Sequence, residues 1–207
     1  MSVLMINGSP HKAGCTYTAL AEVARGLADS GVESEIRWIG NKEVRPCIAC
    51  RQCSGRHCHY GDEDGINELI DALTAADGLV IGSPVFFAGL NGALKCLLDR
   101  VFFAGSAGFA LKPAACIVSA RRAGTTSALE QLQKYPLISQ MPVVSSFYWP
   151  MVHGNSPDEV RQDAEGMAIA WQLGANMAWM IKCIAAGQEA GIAATQIKER
   201  ARTNFIR

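Results

Sequence analysis

The sequence predicts an α/β protein: a single domain built on a doubly wound, five-stranded parallel sheet in three α/β/α layers. Three observations point there. Short apolar runs alternate with segments of helical periodicity, five times in strict order. Most of those runs are apolar throughout, as expected of parallel strands covered on both faces. No internal repeat, low-complexity segment or composition shift divides the 207 residues, a length that suits one domain with a substantial core.

Each element has its own signal. VLMIN at 3–7 reads as a buried strand. A helix follows, with Tyr17, Leu20, Ala21, Ala24, Leu27 and Ala28 on its inner stripe and Gly31 closing it. VESEIRWI at 32–39 alternates and reads as a strand nearer an edge. A cysteine-rich insertion occupies about 40–62. INELIDALTAAD at 66–77 is helical, and GLVIGSP at 78–84 is a third strand. NGALKCLLDRVFF at 91–103 is a helix with Leu94, Leu97 and Leu98 inward, and PAACIVSA at 113–120 is a fourth strand. TSALEQLQKY at 126–135 reads as a helix and PVVSSF at 142–147 as the fifth strand. A closing helix is expected over about 157–187, with an apolar stripe of Val160, Ala164, Met167, Ala168, Trp171, Ala175, Ala178 and Ile181.

Composition narrows the function. Apolar residues make up 49% and charged residues 18%, the balance of a packed globular chain. Lys and Arg number 19, Asp and Glu 19, so the formal net charge is zero. That argues against a nucleic-acid binder or an anionic-membrane binder. The densest basic run, KERAR at 198–202, reads as a solvated helix end within a polar C-terminal stretch, 188–207. No apolar run approaches a membrane span, and the N-terminus lacks the basic and apolar regions of a secretory leader. A cytoplasmic location is expected. In that reducing compartment, clustered cysteines point to metal or redox chemistry more than to disulfides.

Open parallel sheets bind ligands at the carboxyl ends of their strands. The relevant loops are GSPHKAGCT (8–16), GSPVFFAGL (82–90), SARRAGTT (119–126) and YWPMVHGNS (148–156). The first is a Gly- and hydroxyl-rich turn leading into a helix. The unpaired N–H groups and positive dipole end of that helix, with Ser9, Thr16 and Thr18 as donors, suit a phosphate. It is not a Walker A loop, because Gly14 is followed by Cys15, and G-x-G-x-x-G is absent. A plain capping turn would look similar. The second loop exposes Phe86 and Phe87 at the sheet edge, a flat apolar wall for a planar ring or, alternatively, core filling.

Together these segments resemble the NAD(P)H-dependent FMN reductase group of flavodoxin-like proteins. GSPHKAGCT is similar to that family's phosphate loop, and SPVFFAG…LKCLLDR to its flavin-ring loop and following helix. The likeness is strongest at 4–20 and 79–100. His11, Cys15 and Phe86 depart from the family's usual basic residue, Asn and Tyr. The resemblance implies a flavodoxin-like fold and bound FMN, with NAD(P)H as co-substrate. It places Ser9, His11, Gly14, Cys15, Thr16, Tyr17 and Thr18 at the phosphate. It places Pro84, Val85, Phe86, Phe87 and Ala88 along the ring, and Ser119, Arg121, Arg122 and Gly124 at its far side. Either arginine could steady a reduced flavin or meet a dinucleotide phosphate. It also implies a homodimer or tetramer, in which Tyr148, Trp149 and His153 reach a neighbouring subunit's site. No catalytic side chain is nominated, because the flavin carries the chemistry.

Four of the eight cysteines fall within twelve residues, CIACRQCSGRHC, as Cys47, Cys50, Cys53 and Cys58. C-x2-C-x2-C can wrap three corners of a cubane, with Cys58 as the fourth ligand. The motif and its place after the second strand resemble iron–sulfur flavoproteins, which implies a [4Fe-4S] cluster. Zinc with these thiolates, or with His57 or His59, is a second reading. A C-x2-C redox dithiol and a loop that binds nothing are others. Cys96, Cys116 and Cys183 read as small core residues; Cys116-x5-Arg122 has a phosphatase-like spacing but sits in a buried strand.

The function expected is an FMN-dependent oxidoreductase. It would take hydride from NAD(P)H and pass electrons to a small-molecule acceptor: flavin, quinone, nitro or azo compound. The alternatives are an iron–sulfur flavoprotein that carries electrons to a redox protein partner, and a non-catalytic flavin-binding or regulatory module.

Overall fold

The computed structural model describes residues 1–195 and Thr203; the basic run at 198–202 and most of the polar tail lie outside the described residues. Strands β1 (Ser2–Asn7), β2 (Glu33–Trp38), β3 (Gly78–Phe86), β5 (Ala114–Ala120) and β6 (Met151–His153) form a parallel sheet in the order β2-β1-β3-β5-β6. A two-residue strand, β4 (Gly89–Leu90), folds back antiparallel on the end of β3. The chain reverses direction beside β1, which places the ligand crevice at the carboxyl ends of β1 and β3.

The helices are α1 (Cys15–Asp29), α2 (Ile66–Ala75), α3 (Gly92–Gly105), α4 (Thr125–Ile138), α5 (Pro157–Gln162) and α6 (Ala164–Glu189). Strand residues alternate between the two faces. Leu4, Ile6, Leu79, Ile81, Cys116 and Val118 pack under α2, α3 and α4. Val3, Met5, Val80, Ala115 and Ile117 pack under α1, α5 and α6. Both faces are therefore dry, which is why the strands read as continuous apolar runs.

Several sequence expectations are corrected. The fifth strand is not 142–147. Val143 makes a single parallel bridge to Ala114, and the chain then loops out before returning as β6. Pro142 and Pro150 have no N–H, so they enter the sheet only as acceptors, from Ala114 N at 2.9 Å and Val118 N at 3.1 Å. The closing helix is two helices. Asp163 leaves helical geometry and caps α6, accepting from Gly166 N at 3.0 Å. That restart shifts the phase of the apolar stripe. The buried face of α6 is Gly166, Ile169, Ala170, Leu173, Gly174, Met177, Ala178 and Ile181, whereas Ala164 and Ala168 are exposed and Trp171 and Ala175 half-buried. In α1 the buried face centres on Leu20, Val23, Gly26 and Leu27, and Tyr17 and Ala28 point outward.

Leu94, Leu97 and Leu98 do face inward on α3. Cys116 is fully buried and Cys96 half-buried, but Cys183 is exposed and not a core residue. No described helix is long and apolar enough to cross a membrane.

Candidate functional site

The first loop is shaped by Asn7, which ends β1 fully buried. Its Oδ1 accepts from Ser9 N at 3.1 Å, and its Nδ2 donates to Lys12 O at 3.1 Å. Ser9 Oγ accepts from His11 N at 3.1 Å. Trp38, at the end of β2, donates from Nε1 to Ser9 O at 2.8 Å, and the Lys12 ammonium lies 6.0 Å from its ring centroid. These bonds curl 8–14 around the start of α1. There Gly14 supplies no capping side chain and the first turn holds no acidic residue. The N–H groups of Cys15, Thr16 and Tyr17 thus start a helix with no intrahelical acceptor, the condition for anion binding. A cleft lined by His11, Lys12, Gly14, Cys15, Trp38 and Asn155 opens onto them.

The expected phosphate residues divide. His11 and Tyr17 are exposed, and Cys15 is half-buried at the helix start. Burial pushes the Cys15 thiol pKa up, and its Sγ donates to Gly154 O at 3.7 Å. Ser9, Thr16 and Thr18 are buried. Thr18 Oγ1 donates to Gly14 O at 3.2 Å, and Thr16 Oγ1 shares a 2.8 Å bond with Ser119 Oγ. The last of these ties α1 to the end of β5, so Ser119 belongs to the scaffold of the cradle.

The second loop carries the ring wall. Phe87 and Ala88 both take left-handed φ, +50° and +58°, between paired Phe86 and Gly89. That is the two-residue hairpin turn in which glycine or asparagine is usual. Holding two other residues there costs on the order of 1 kcal/mol each. The consequence is that Phe86 is half-exposed and Phe87 fully exposed at the carboxyl edge. They stand free and do not fill core space. The third loop backs this turn: Gly124 has φ +93°, and a Cβ there would lie 2.8 Å from Ala88 Cα. Pro84 and Val85 are half-buried, and Arg121 and Arg122 exposed. Phe147, Tyr148 and Trp149 are exposed, and the last two rings pack edge-to-face with centroids 4.8 Å apart. His153 is exposed, its backbone N–H donating to Asp163 at 2.7 Å.

The cysteine-rich segment folds over α2 and α3. Cys47, Cys50, Cys53 and Cys58 line one cavity. Ala49 and Arg51, flanking Cys50, both have left-handed φ, +52° and +58°. A strained backbone on either side of one cysteine winds the segment tightly enough to bring its neighbours to the same space. Burial pushes the Cys53 thiol pKa up, and the sulfurs of Cys58, Cys50 and Cys47 push it further. His57 Nε2 is engaged by Asp71 Oδ1 at 2.7 Å, and His59 packs against Tyr60, so neither imidazole joins the thiols. Among the described residues, no three His, Cys, Asp or Glu converge closely enough to hold one metal ion. Four thiols lining one cavity are the donor type that zinc and iron–sulfur clusters take.

The sequence did not single out Asn7, Trp38 or the ion pair of Arg100 with Asp64 beneath the cysteines. An Asn closing an apolar strand and an Arg within an apolar helix were the available signals.

Sheet order and crevice define a flavodoxin-like α/β protein. A flavodoxin from the domain Archaea superposes with a TM-score of 0.59 at 14% identity, over 88% of this chain and 99% of that one. A flavone reductase superposes with a TM-score of 0.68 at 20% identity, over 89% of this chain and 64% of that one. Residues 1–156 match the family model of NADPH-dependent FMN reductases, and the chain belongs to that family. It is a flavin oxidoreductase. It is 31% identical to an iron–sulfur flavoprotein of Methanocaldococcus jannaschii over 194 residues, 89% of this chain and 99% of that protein.

Proposed function

We propose that the protein is an FMN-dependent oxidoreductase with an iron–sulfur centre at Cys47, Cys50, Cys53 and Cys58, passing electrons between NAD(P)H and an acceptor. The observation that carries this reading is the gathering of all four cysteines around one cavity. The similarity to an iron–sulfur flavoprotein supports it. When bound, FMN accepts hydride and releases electrons singly or in pairs, and a four-iron cluster carries one electron at a time.

The chain's residues hold and shield these groups. The α1 N-terminus, with His11 and Lys12, receives the phosphate. Phe86 and Phe87 cover one face of the ring, and Arg121 or Arg122 offsets negative charge at its far side. The exposed Phe147, Tyr148 and Trp149 fit contact with a second copy in a homodimer or tetramer. Asn91 caps α3 immediately after the aromatic turn, and Arg100 on the same helix touches the cysteine segment. Nine residues of helix put the two about 13 Å apart along its axis.

A second reading keeps the flavin and drops the cluster: hydride from NAD(P)H, electrons direct to a quinone, nitro, azo or flavin acceptor. It is favoured by the finding that, among the described residues, no three His, Cys, Asp or Glu come together closely enough to hold one metal ion. Protein purified without oxygen decides between them. A flavin spectrum with about four iron and four sulfide per chain supports the first reading. Flavin without iron or sulfide, together with steady NAD(P)H oxidation, supports the second. Protein that takes up no FMN sinks both.

A further inference from the structure

The cleft at the start of α1 has one indole in its wall, and that indole comes from the neighbouring strand. Trp38 is the last residue of β2, half-buried, and lines the cleft beside His11, Lys12 and Gly14. A half-buried indole could leave its N–H to water. That of Trp38 donates instead to Ser9 O at 2.8 Å. Ser9 is held at two further points: its N–H donates to Asn7 Oδ1 and its Oγ accepts from His11 N, both at 3.1 Å. The next residue is Pro10, so the peptide unit that carries Ser9 O brings no N–H of its own to the loop. Residues 11–13, which follow, are exposed. Among the described residues, Trp38 is the one side chain from outside β1, α1 and the loop itself that hydrogen-bonds to residues 8–14.

A carbonyl oxygen carries partial negative charge and repels an anion at close range. Trp38 engages the Ser9 carbonyl from the β2 side, while Ser9 Oγ fixes the amide of His11. The Lys12 ammonium stands 6.0 Å from the indole centroid, at the outer range of a cation–π contact, so the same ring also restrains the loop's cation. A loop held in advance loses less freedom when its ligand arrives. We propose that Trp38 is a positioning residue for the phosphate loop and that, through Ser9 and Lys12, it sets a preference for FMN over riboflavin. This rests on the assignment of the cleft to the FMN phosphate. The two flavins share their ring and sugar-alcohol chain and differ in the phosphate. Phe86 and Phe87 belong to another loop, so slackening residues 8–14 acts on the phosphate contact and leaves the ring wall in place.

The test uses full-length protein stripped of flavin and titrated separately with FMN and with riboflavin, following quenching of flavin fluorescence. Trp38→Phe keeps an aromatic face beside Lys12 and removes the N–H; Trp38→Leu removes both. Trp38→Phe is expected to weaken FMN binding roughly fivefold to tenfold, the worth of one net hydrogen bond, and to leave riboflavin within about twofold. Trp38→Leu is expected to weaken FMN further. Phe87→Gly, which trims the ring wall, is expected to weaken both flavins alike. The ratio of the two affinities is the deciding quantity, because general loosening of the fold would lower both together.

An FMN preference that survives unchanged in Trp38→Phe and Trp38→Leu overturns the role of Trp38 and leaves the phosphate assignment standing. Equal weakening of both flavins in those variants also overturns it, since Trp38 would then support the fold at large. Wild-type protein that binds no FMN, or binds riboflavin as tightly, defeats the phosphate assignment itself and this proposal with it. If Trp38→Leu does not fold, Trp38→Phe decides by the same ratio.

Discussion

Gly26 is the position where the packing makes its sharpest demand, and Gly26→Ala is the perturbation that tests it. Helices α1 and α6 cross glycine against glycine. A Cβ on Gly26 would lie 2.0 Å from Trp171 O, and a Cβ on Gly174 2.1 Å from Val23 O. Both obstacles are backbone, so no side chain can swing aside. The helices must separate until 2.0 Å becomes the 3.4 Å of ordinary contact. Separation loosens Val23, Leu27, Leu173 and Met177, all fully buried along the same seam. Overpacking of this kind costs about 1–3 kcal/mol, and seam loosening adds cavity cost. Alanine returns at most about 1 kcal/mol through helix propensity. The net loss is about 2 kcal/mol, or about 4–8 °C in Tm for a chain of this length. Scanning calorimetry of wild type, Gly26→Ala and Gly174→Ala reads it directly. Because the two glycines share one seam, the double variant should lose less than the sum of the singles. A Gly26→Ala protein melting at or above wild type would refute the argument, since propensity would then outweigh the contact.

Three further outcomes follow from single residues. Burial pushes the Cys116 pKa from 9.0 up to about 12. Between those values the folded state holds a proton that the unfolded state has lost, so stability falls as pH rises, by about 1.4 kcal/mol per pH unit. Urea denaturation should show Cys116→Val losing less stability than wild type between pH 9 and pH 10.5; equal losses would contradict it. Lys112 Nζ donates to the C-terminal carbonyls of α2, Leu73 O at 3.2 Å, Ala76 O at 2.6 Å and Thr74 O. Lys112→Met leaves those carbonyls unpaired and should cost about 2 kcal/mol by urea denaturation. Ala88→Gly relieves one left-handed residue and should gain about 0.5–1 kcal/mol with FMN affinity kept, whereas Phe87→Gly should weaken FMN binding measured by fluorescence quenching.

The strands of the sheet were legible because both faces are buried, which leaves unbroken apolar runs such as 3–7 and 113–120. The inner face of α3 was legible because three leucines recur at helical spacing and nothing interrupts them. The α6 stripe was misplaced because the restart at Asp163 shifts its phase, and in both helices apolar counting gives no weight to Gly26 and Gly174, which lie on the buried faces with Leu20, Val23, Leu27, Leu173 and Met177. Segment 142–153 failed for a different reason. PVVSSF has strand-like composition, but proline at 142 and 150 and the outward aromatics divert the chain between two short pairings. The cysteine spacing could announce a possible site, but convergence depends on positive φ at Ala49 and Arg51, which no local propensity favours for those residues.

That last point bears on how the site is maintained. Ala49, Arg51, Phe87 and Ala88 all hold backbone conformations that cost energy in isolation. Ala49 and Arg51 lie in a segment without helix or extended strand, and the phenylalanine turn caps a hairpin of two paired residues on each side. Neither segment could hold such conformations on its own; the surrounding packing must over-determine them. For both, part of the support comes from α3. Its Asn91 N–H donates to Ser83 Oγ at 3.1 Å, closing the hairpin, and its Arg100 closes the cysteine segment through Tyr60 and Asp64. A helix anchored by Leu94, Leu98 and Val101, all fully buried, is stiff enough to do both. Loss of either anchor should therefore free its own segment while leaving the sheet intact. On this account one helix shares in holding the strain at both candidate sites, with the third loop backing the phenylalanine turn, and the sheet contributes by fixing that helix in place.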